Sequence, residues 1–204
     1  MQIQIVLGQF LDANVYIVSK GDNCLIIDSG AKLEDVKEVV ADKKVCGVLL
    51  THGHYDHSYN CNRYAESFDC KIYANVNIKK TLTDPTAIYS EDGTTIEDFS
   101  RFEFVEQDKT IEVGNFSIKC YYCPGHSICS ECYVIDGVMF AGDVLFEKGI
   151  GRCDLKFSDK KMMYESLVKL ETTEYDRVFS GHGKDSNHEM QMRNIQVYKK
   201  FLTR

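Results

Sequence analysis

The sequence predicts an α/β (α+β) protein, an αββα four-layer sandwich with two β-sheets face to face and helices outside. Three observations carry this. Strand-like runs fall in two blocks, one ending near residue 74 and one over residues 102–141. Amphipathic helical segments accompany each block, and two sheets packed together with helices outside would bury both. Histidines and aspartates repeatedly follow apolar runs in glycine-bearing loops, which brings distant segments to one rim of a sheet. At 204 residues the chain is large enough for one well-filled domain, 1–204.

The elements follow in order. Residues 2–7, 14–19 and 23–27 read as strands from their alternation and β-branched content. Asp28-Ser29-Gly30 turns the chain, and 32–42 has helical spacing with Leu33, Val36, Val39 and Val40 on one face. Val45 to Leu50 is a continuous apolar run, read as a buried strand. Residues 58–68 read as a helix with Tyr59, Tyr64, Ala65 and Phe68 apolar. Lys71–Ala74 is a short strand and 76–82 a short helix. Residues 84–101 are polar and irregular; Tyr89 there could line a pocket, and no role is assigned to it. Strands follow near 102–106, 110–113, 116–122, 131–136 and 138–141. A helix spans about 158–171, with Met162, Met163, Leu167, Val168 and Leu170. Arg177–Ser180 is a strand. The tail 187–202 is an amphipathic helix whose Met190, Ile195, Tyr198 and Phe201 read as core contacts, with His188 on its surface.

The chemistry concentrates in Thr51-His52-Gly53-His54-Tyr55-Asp56-His57, on the expected loop after the Val45–Leu50 strand. Imidazoles packed this closely repel when protonated, and a buried carboxylate needs a partner. A divalent metal satisfies both, and His with Asp suits Zn, Fe or Mn rather than Ca or Mg. His126 in Cys123-Pro124-Gly125-His126-Ser127, Asp143 in Phe140-Ala141-Gly142-Asp143 and His182 in Ser180-Gly181-His182-Gly183 repeat the pattern. Five of the six histidines thereby fall at strand ends.

Net charge is −7 with no long basic run, which argues against a nucleic-acid surface. No apolar run reaches membrane-spanning length, and the N-terminus lacks a signal-peptide layout. A cytoplasmic location is therefore expected, with the nine cysteines mostly free thiols. Cys120-x-x-Cys123 and Cys129-x-x-Cys132 resemble a four-cysteine zinc knuckle. The simpler reading makes Cys120 and Cys132 small apolar residues of neighbouring strands.

Together, the Thr-His-x-His-x-Asp-His, Pro-Gly-His, Gly-Asp and Gly-His motifs resemble the metallo-β-lactamase-fold superfamily of metallohydrolases over nearly the full length. Gly142-Asp143-Val144-Leu145-Phe146 followed by Gly149-Ile150-Gly151-Arg152-Cys153-Asp154 looks like the glyoxalase II-like (hydroxyacylglutathione hydrolase-like) branch. The resemblance implies a zinc-dependent enzyme with two Zn, Fe or Mn being possible. His52, His54 and His126 would hold one metal, Asp56, His57 and His182 the other, and Asp143 would bridge them. The helical segment that helps full-length glyoxalase II hold glutathione is missing, so the chain resembles the shorter single-domain relatives.

That family chemistry is thioester hydrolysis by a hydroxide shared between the metals, with Asp56 orienting it. Asp28, in Ile27-Asp28-Ser29-Gly30, resembles the family's early Asp turn and is a candidate to orient an imidazole; capping its own turn is the competing role. Arg152 and Lys148 are the best local cations for an anionic substrate group, Arg152 alternatively pairing with Asp154. The expected partner is a small-molecule thioester or ester, with no nucleic acid and no membrane; the oligomeric state is not read from sequence. A lactonase or phosphodiesterase on the same site, an iron persulfide dioxygenase and a non-catalytic binding protein are the competing functions. Retention of all seven ligand positions argues against the last.

Overall fold

The computed structural model describes residues 1–106 and 108–203. Two six-stranded sheets lie face to face. The first is built from β1 (Gln2–Leu7), β2 (Asn14–Lys20), β3 (Asn23–Ile27), β4 (Lys44–Leu49), β5 (Lys71–Asn75) and β6 (Phe102–Val105), in chain order. Its β1–β2–β3 meander is antiparallel, and β3 through β6 run parallel. Parallel strands need crossovers. Here these are α1 (Leu33–Val40), then α2 (Tyr55–Ser58) with α3 (Cys61–Ser67), then α4 (Ile78–Leu82) with the irregular stretch after it.

The second sheet contains β7 (Lys109–Val113), β8 (Phe116–Tyr122), β9 (Glu131–Ile135) and β10 (Val138–Gly142). Beyond the small hairpin β11 (Leu145–Phe146) with β12 (Gly149–Ile150), it adds β13 (Arg177–Ser180) and β14 (Ser186–Asn187), in the order β14-β13-β10-β9-β8-β7. Among the described residues of this sheet, only β10 and β13 pair in parallel, and α5 (Lys160–Glu171) is their crossover; α6 (His188–Leu202) follows β14.

Strand alternation sorts the side chains into three apolar layers. In β2, Val15 and Ile17 pack with Val36, Val40 and Tyr64 in the layer under α1 and α3, while Tyr16 and Val18 face the other sheet. In β9, Tyr133 and Ile135 meet them between the sheets, and Cys132 and Val134 face Met163, Leu167 and Ile195 of α5 and α6. Both faces of the central strands are thus buried, which is why they read as near-continuous apolar runs. Among the described residues, no helix is long and apolar enough to cross a membrane.

Several local expectations need correction. The helix expected at 58–68 is two helices, and the first begins at Tyr55, so Asp56 and His57 sit on a helical turn rather than in a loop. The Ser58 hydroxyl donates to the carbonyl of His54 at 2.9 Å, and Asn60 reaches away to Ala31, which separates the two turns. Phe201 is 66% exposed, beyond Ile195, the last buried position of α6. Met162 and Val168 likewise point outward. His188 is half-buried, its ring packed 4.8 Å from Tyr175.

Candidate metal centre

The seven expected ligands converge at the C-terminal ends of β4, β8, β10 and β13. His52 and His54 follow β4, Asp56 and His57 form the first turn of α2, and His126, Asp143 and His182 follow β8, β10 and β13. Backbone economy allows this close approach. Gly30 lies against the carbonyl of Asp56, and a Cβ at Gly181 would collide with the Asp143 carboxylate.

Two triads result. His54 Nδ1 lies 3.1 Å from His52 Nε2 and 3.0 Å from His126 Nε2. His182 Nε2 lies 3.2 Å from His57 Nε2 and 3.2 Å from Asp56 Oδ2, with His57 to Asp56 at 3.4 Å. Asp143 stands between them, Oδ1 3.5 Å from His57 and Oδ2 3.5 Å from both His126 and His182. The donor atoms of each triad lie within 4.8 Å of one another, a spacing that can hold a metal ion.

The outward ring nitrogens settle the tautomers. His57 Nδ1 donates to Asp28 Oδ2 at 2.8 Å, His126 Nδ1 to the Arg152 carbonyl at 3.0 Å and His182 Nδ1 to the Leu11 carbonyl at 3.0 Å. His52 Nδ1 meets the Thr51 hydroxyl at 3.1 Å, which itself donates to Asp28 Oδ2 at 2.8 Å. The Nε2 lone pairs of these four rings therefore face inward onto one another. Lone pairs at 3.2 Å repel, and a buried Asp143 Oδ1 with no hydrogen-bond partner among the described residues points into the same space. A cation satisfies all of them, so the donor set fits divalent metals. His54 is the exception in orientation: its Nδ1 faces inward, and its buried Nε2 has no hydrogen-bond partner among the described residues.

The electrostatics split the same way. Burial pushes His52 well below its ordinary value and His54 down to about 3. Burial also opposes charge on His57, but Asp56, Asp143 and Asp28 outweigh it and lift it to about 9. His182 is likewise carried to about 10, burial being outweighed by its hydrogen bonds to Asp143 and Asp56. Burial raises Asp143, yet the surrounding imidazoles hold it well below the carboxylate range. Where protons are the counter-charge, they sit on His57 and His182, the two rings nearest the carboxylates.

Asp28 is placed to orient His57, at left-handed φ of 63°, receiving the Thr51 N–H at 2.7 Å as well as His57 Nδ1–H at 2.8 Å. The site opens into a cavity of about 440 Å³ lined also by Phe10, Leu11, Tyr55, Tyr89, Glu91 and Leu155. Sequence reasoning missed most of this wall, because its residues come from separate segments with no shared motif. Arg152 reaches the cavity, but its guanidinium is held by Asp154 through two hydrogen bonds of 2.7 and 2.8 Å. Lys148 is exposed and is not among the residues lining the cavity, because it lies at the turn of the β11–β12 hairpin. The cysteines form no knuckle. Cys120 of β8 packs between the sheets and Cys132 of β9 under α5, on strand faces that point to different layers; Cys123 joins the layer of Cys132, and Cys129 the layer of Ile78 and Leu82.

Comparison with known proteins places these features. The family model of the metallo-β-lactamase superfamily matches residues 8–182. The "Probable metallo-hydrolase YqgX" of Bacillus subtilis is 30% identical over 87% of this chain and 88% of its own. A hydroxyacylglutathione hydrolase of Psychromonas ingrahamii is 27% identical over 99% of this chain and 73% of its own. Among solved structures, the BLEG-1 B3 metallo-β-lactamase superposes with a TM-score of 0.86 at 26% identity, covering 100% of both chains. TTHA1623, solved in a di-iron-bound form, superposes with a TM-score of 0.78 at 24% identity, covering 94% of this chain and 98% of its own.

Proposed function

Since the chain belongs to the metallo-β-lactamase superfamily and is a metallohydrolase of it, we propose that it is a glyoxalase II-like thioesterase that cleaves small hydroxyacyl thioesters. The observation that carries this reading is the pair of triads joined by Asp143, with inward lone pairs and ionised carboxylates. We assign His52, His54 and His126 to one metal, Asp56, His57 and His182 to the second, and Asp143 to both. Zinc is the proposed ion, the same donors also suiting iron or manganese.

Bound there, two divalent cations supply an activated water and a Lewis acid for the acyl carbonyl. The chain does the rest. Burial raises the Asp56 carboxyl, but His57 and His182 outweigh that and keep it ionised. It can thus accept a hydrogen bond from the attacking water and orient it. Asp28 and the Leu11 and Arg152 carbonyls take the Nδ1 protons of His57, His182 and His126, which aims each Nε2 at the metal positions, where a bound cation would replace any proton there. A thioester suits the site because its thiolate departs with little need of a proton. The nine free cysteines fit a reducing compartment, and we propose a cytoplasmic location.

The test is thiol release from lactoyl thioesters by protein loaded in turn with zinc, iron and manganese. Turnover that disappears on chelation and returns with metal supports the reading. No turnover of any lactoyl thioester with any of the three metals rejects thioester hydrolysis.

A further inference from the structure

The cavity continues from the metal centre onto an apolar wall whose side chains the chemistry above does not use. Phe10 and Leu11 come from the turn between β1 and β2, Tyr55 from the start of α2, Tyr89 from the stretch after α4, and Leu155 from beyond β12. Phe10 packs on Tyr55 and on Tyr59, ring centroids 5.3 Å apart in each case, and Tyr89 stands edge-on to His54 at 5.2 Å. Leu11 is 81% and Tyr89 42% exposed. Both hold left-handed backbone, φ 53° and 60°, where a side chain is strained. An exposed leucine on such a backbone adds little to the fold, and strain of this kind gathers at functional sites. The Tyr89 hydroxyl accepts the Lys156 N–H at 2.6 Å, and Lys156 Nζ grips Asp84 at 2.6 Å and Thr86 at 2.7 Å, which pins the wall across the mouth.

The charges at the mouth point the same way. Among the described residues lining the cavity, Arg152 is the one Lys or Arg, and Asp154 already neutralises it. Glu91 adds a carboxylate. Outside the metal centre, a substrate carboxylate there would meet no unpaired lysine or arginine and the like charge of Glu91.

We propose that the thiol half of the substrate is an uncharged, apolar group seated on the wall of Phe10, Leu11, Tyr55, Tyr89 and Leu155. This rests on the thioester reading. The small hydroxyacyl half of that reading needs only the metal centre, which leaves the wall to the thiol half.

The test uses the metal-loaded full chain and two substrates with the same lactoyl group, one carried on uncharged benzyl mercaptan and one on glutathione, whose two carboxylates outweigh its single ammonium. The benzyl thioester is expected to have kcat/KM at least about ten-fold higher, mainly through KM, the scale that apolar pocket contacts carry. Leu11→Ser and Tyr89→Ala should narrow the preference by raising KM for the benzyl thioester. Asp154→Asn, which frees Arg152, and Glu91→Lys should narrow it from the other side, by raising kcat/KM for the glutathione thioester. That gain cannot come from misfolding. Equal rates for the two substrates, or a preference for glutathione, overturn the proposal. If neither is hydrolysed, the thioesterase reading fails separately, and the same two compounds are titrated as ligands by calorimetry. Tighter binding of the benzyl compound then upholds the apolar wall, and equal or weaker binding overturns it.

Discussion

Asp28→Asn changes one atom and should cripple one metal position. In the wild type, Asp28 Oδ1 accepts the Thr51 N–H at 2.7 Å, and Oδ2 accepts both the Thr51 hydroxyl and His57 Nδ1–H at 2.8 Å. The backbone N–H cannot change its role, so the asparagine oxygen must take the Oδ1 place and its NH2 the Oδ2 place. The Thr51 hydroxyl can rotate to accept. His57 can accept only by moving its proton to Nε2, where it points at His182 and Asp143 instead of offering a lone pair. Loss of such a supporting partner lowers metal affinity by about 10- to 100-fold, or about 1.4–2.7 kcal/mol. The loss falls on the triad of Asp56, His57 and His182; the triad of His52, His54 and His126 keeps its inward atoms. The assay is competitive zinc titration of chelated protein against an indicator of known affinity. Wild type should take two ions tightly and the variant one tightly and one weakly. Two affinities within about two-fold of wild type would refute the tautomer argument.

Three further outcomes follow from the same geometry. Asp143→Ala should reduce bound metal to less than half that of wild type by elemental analysis and abolish turnover, since its carboxylate serves both triads. In metal-free protein, His57 at about 9 and His182 at about 10 contribute stability that is complete below pH ~6.5 and is lost as pH rises through those values. His52, His54 and His126, all lowered mainly by burial, contribute stability that is present above pH ~6.5 and lost on acidification, so metal-free melting temperature should fall on both sides of neutrality. A monotonic profile would contradict the split. Glu131, buried in β9 and lifted to about 8 chiefly by burial, favours the folded state while protonated and withdraws that contribution as pH rises from ~4.5 through 8. Thermal melts of Glu131→Gln should therefore compare better with wild type at pH 9 than at pH 5; the reverse trend would show the carboxylate is paired in the folded state.

The ligands were legible because metal binding concentrates rare residue types in short motifs, and His52 through His57 sit within six positions. The sandwich was legible through β2 and β9, whose alternate residues divide cleanly between layers. The rest depends on tertiary contacts that leave little periodic trace. The β11–β12 hairpin has two residues per strand, too short for a pattern. Phe201 keeps helical spacing with Tyr198, yet its neighbour Leu202 takes the inward place against the layer of Ile195, and Phe201 stays exposed. Two Cys-x-x-Cys pairs looked convergent, but Cys120 and Cys132 face different layers. The cavity wall joins residues 10, 11, 55, 89 and 155, which no sequence window contains.

If these seven side chains build a two-metal centre, anomalous diffraction from crystals of zinc-loaded protein will locate both ions. Two peaks per chain are expected, one ringed by His52 Nε2, His54 Nδ1 and His126 Nε2 and one by Asp56, His57 Nε2 and His182 Nε2, with Asp143 reaching both. A single peak per chain, or peaks away from these atoms, would contradict it.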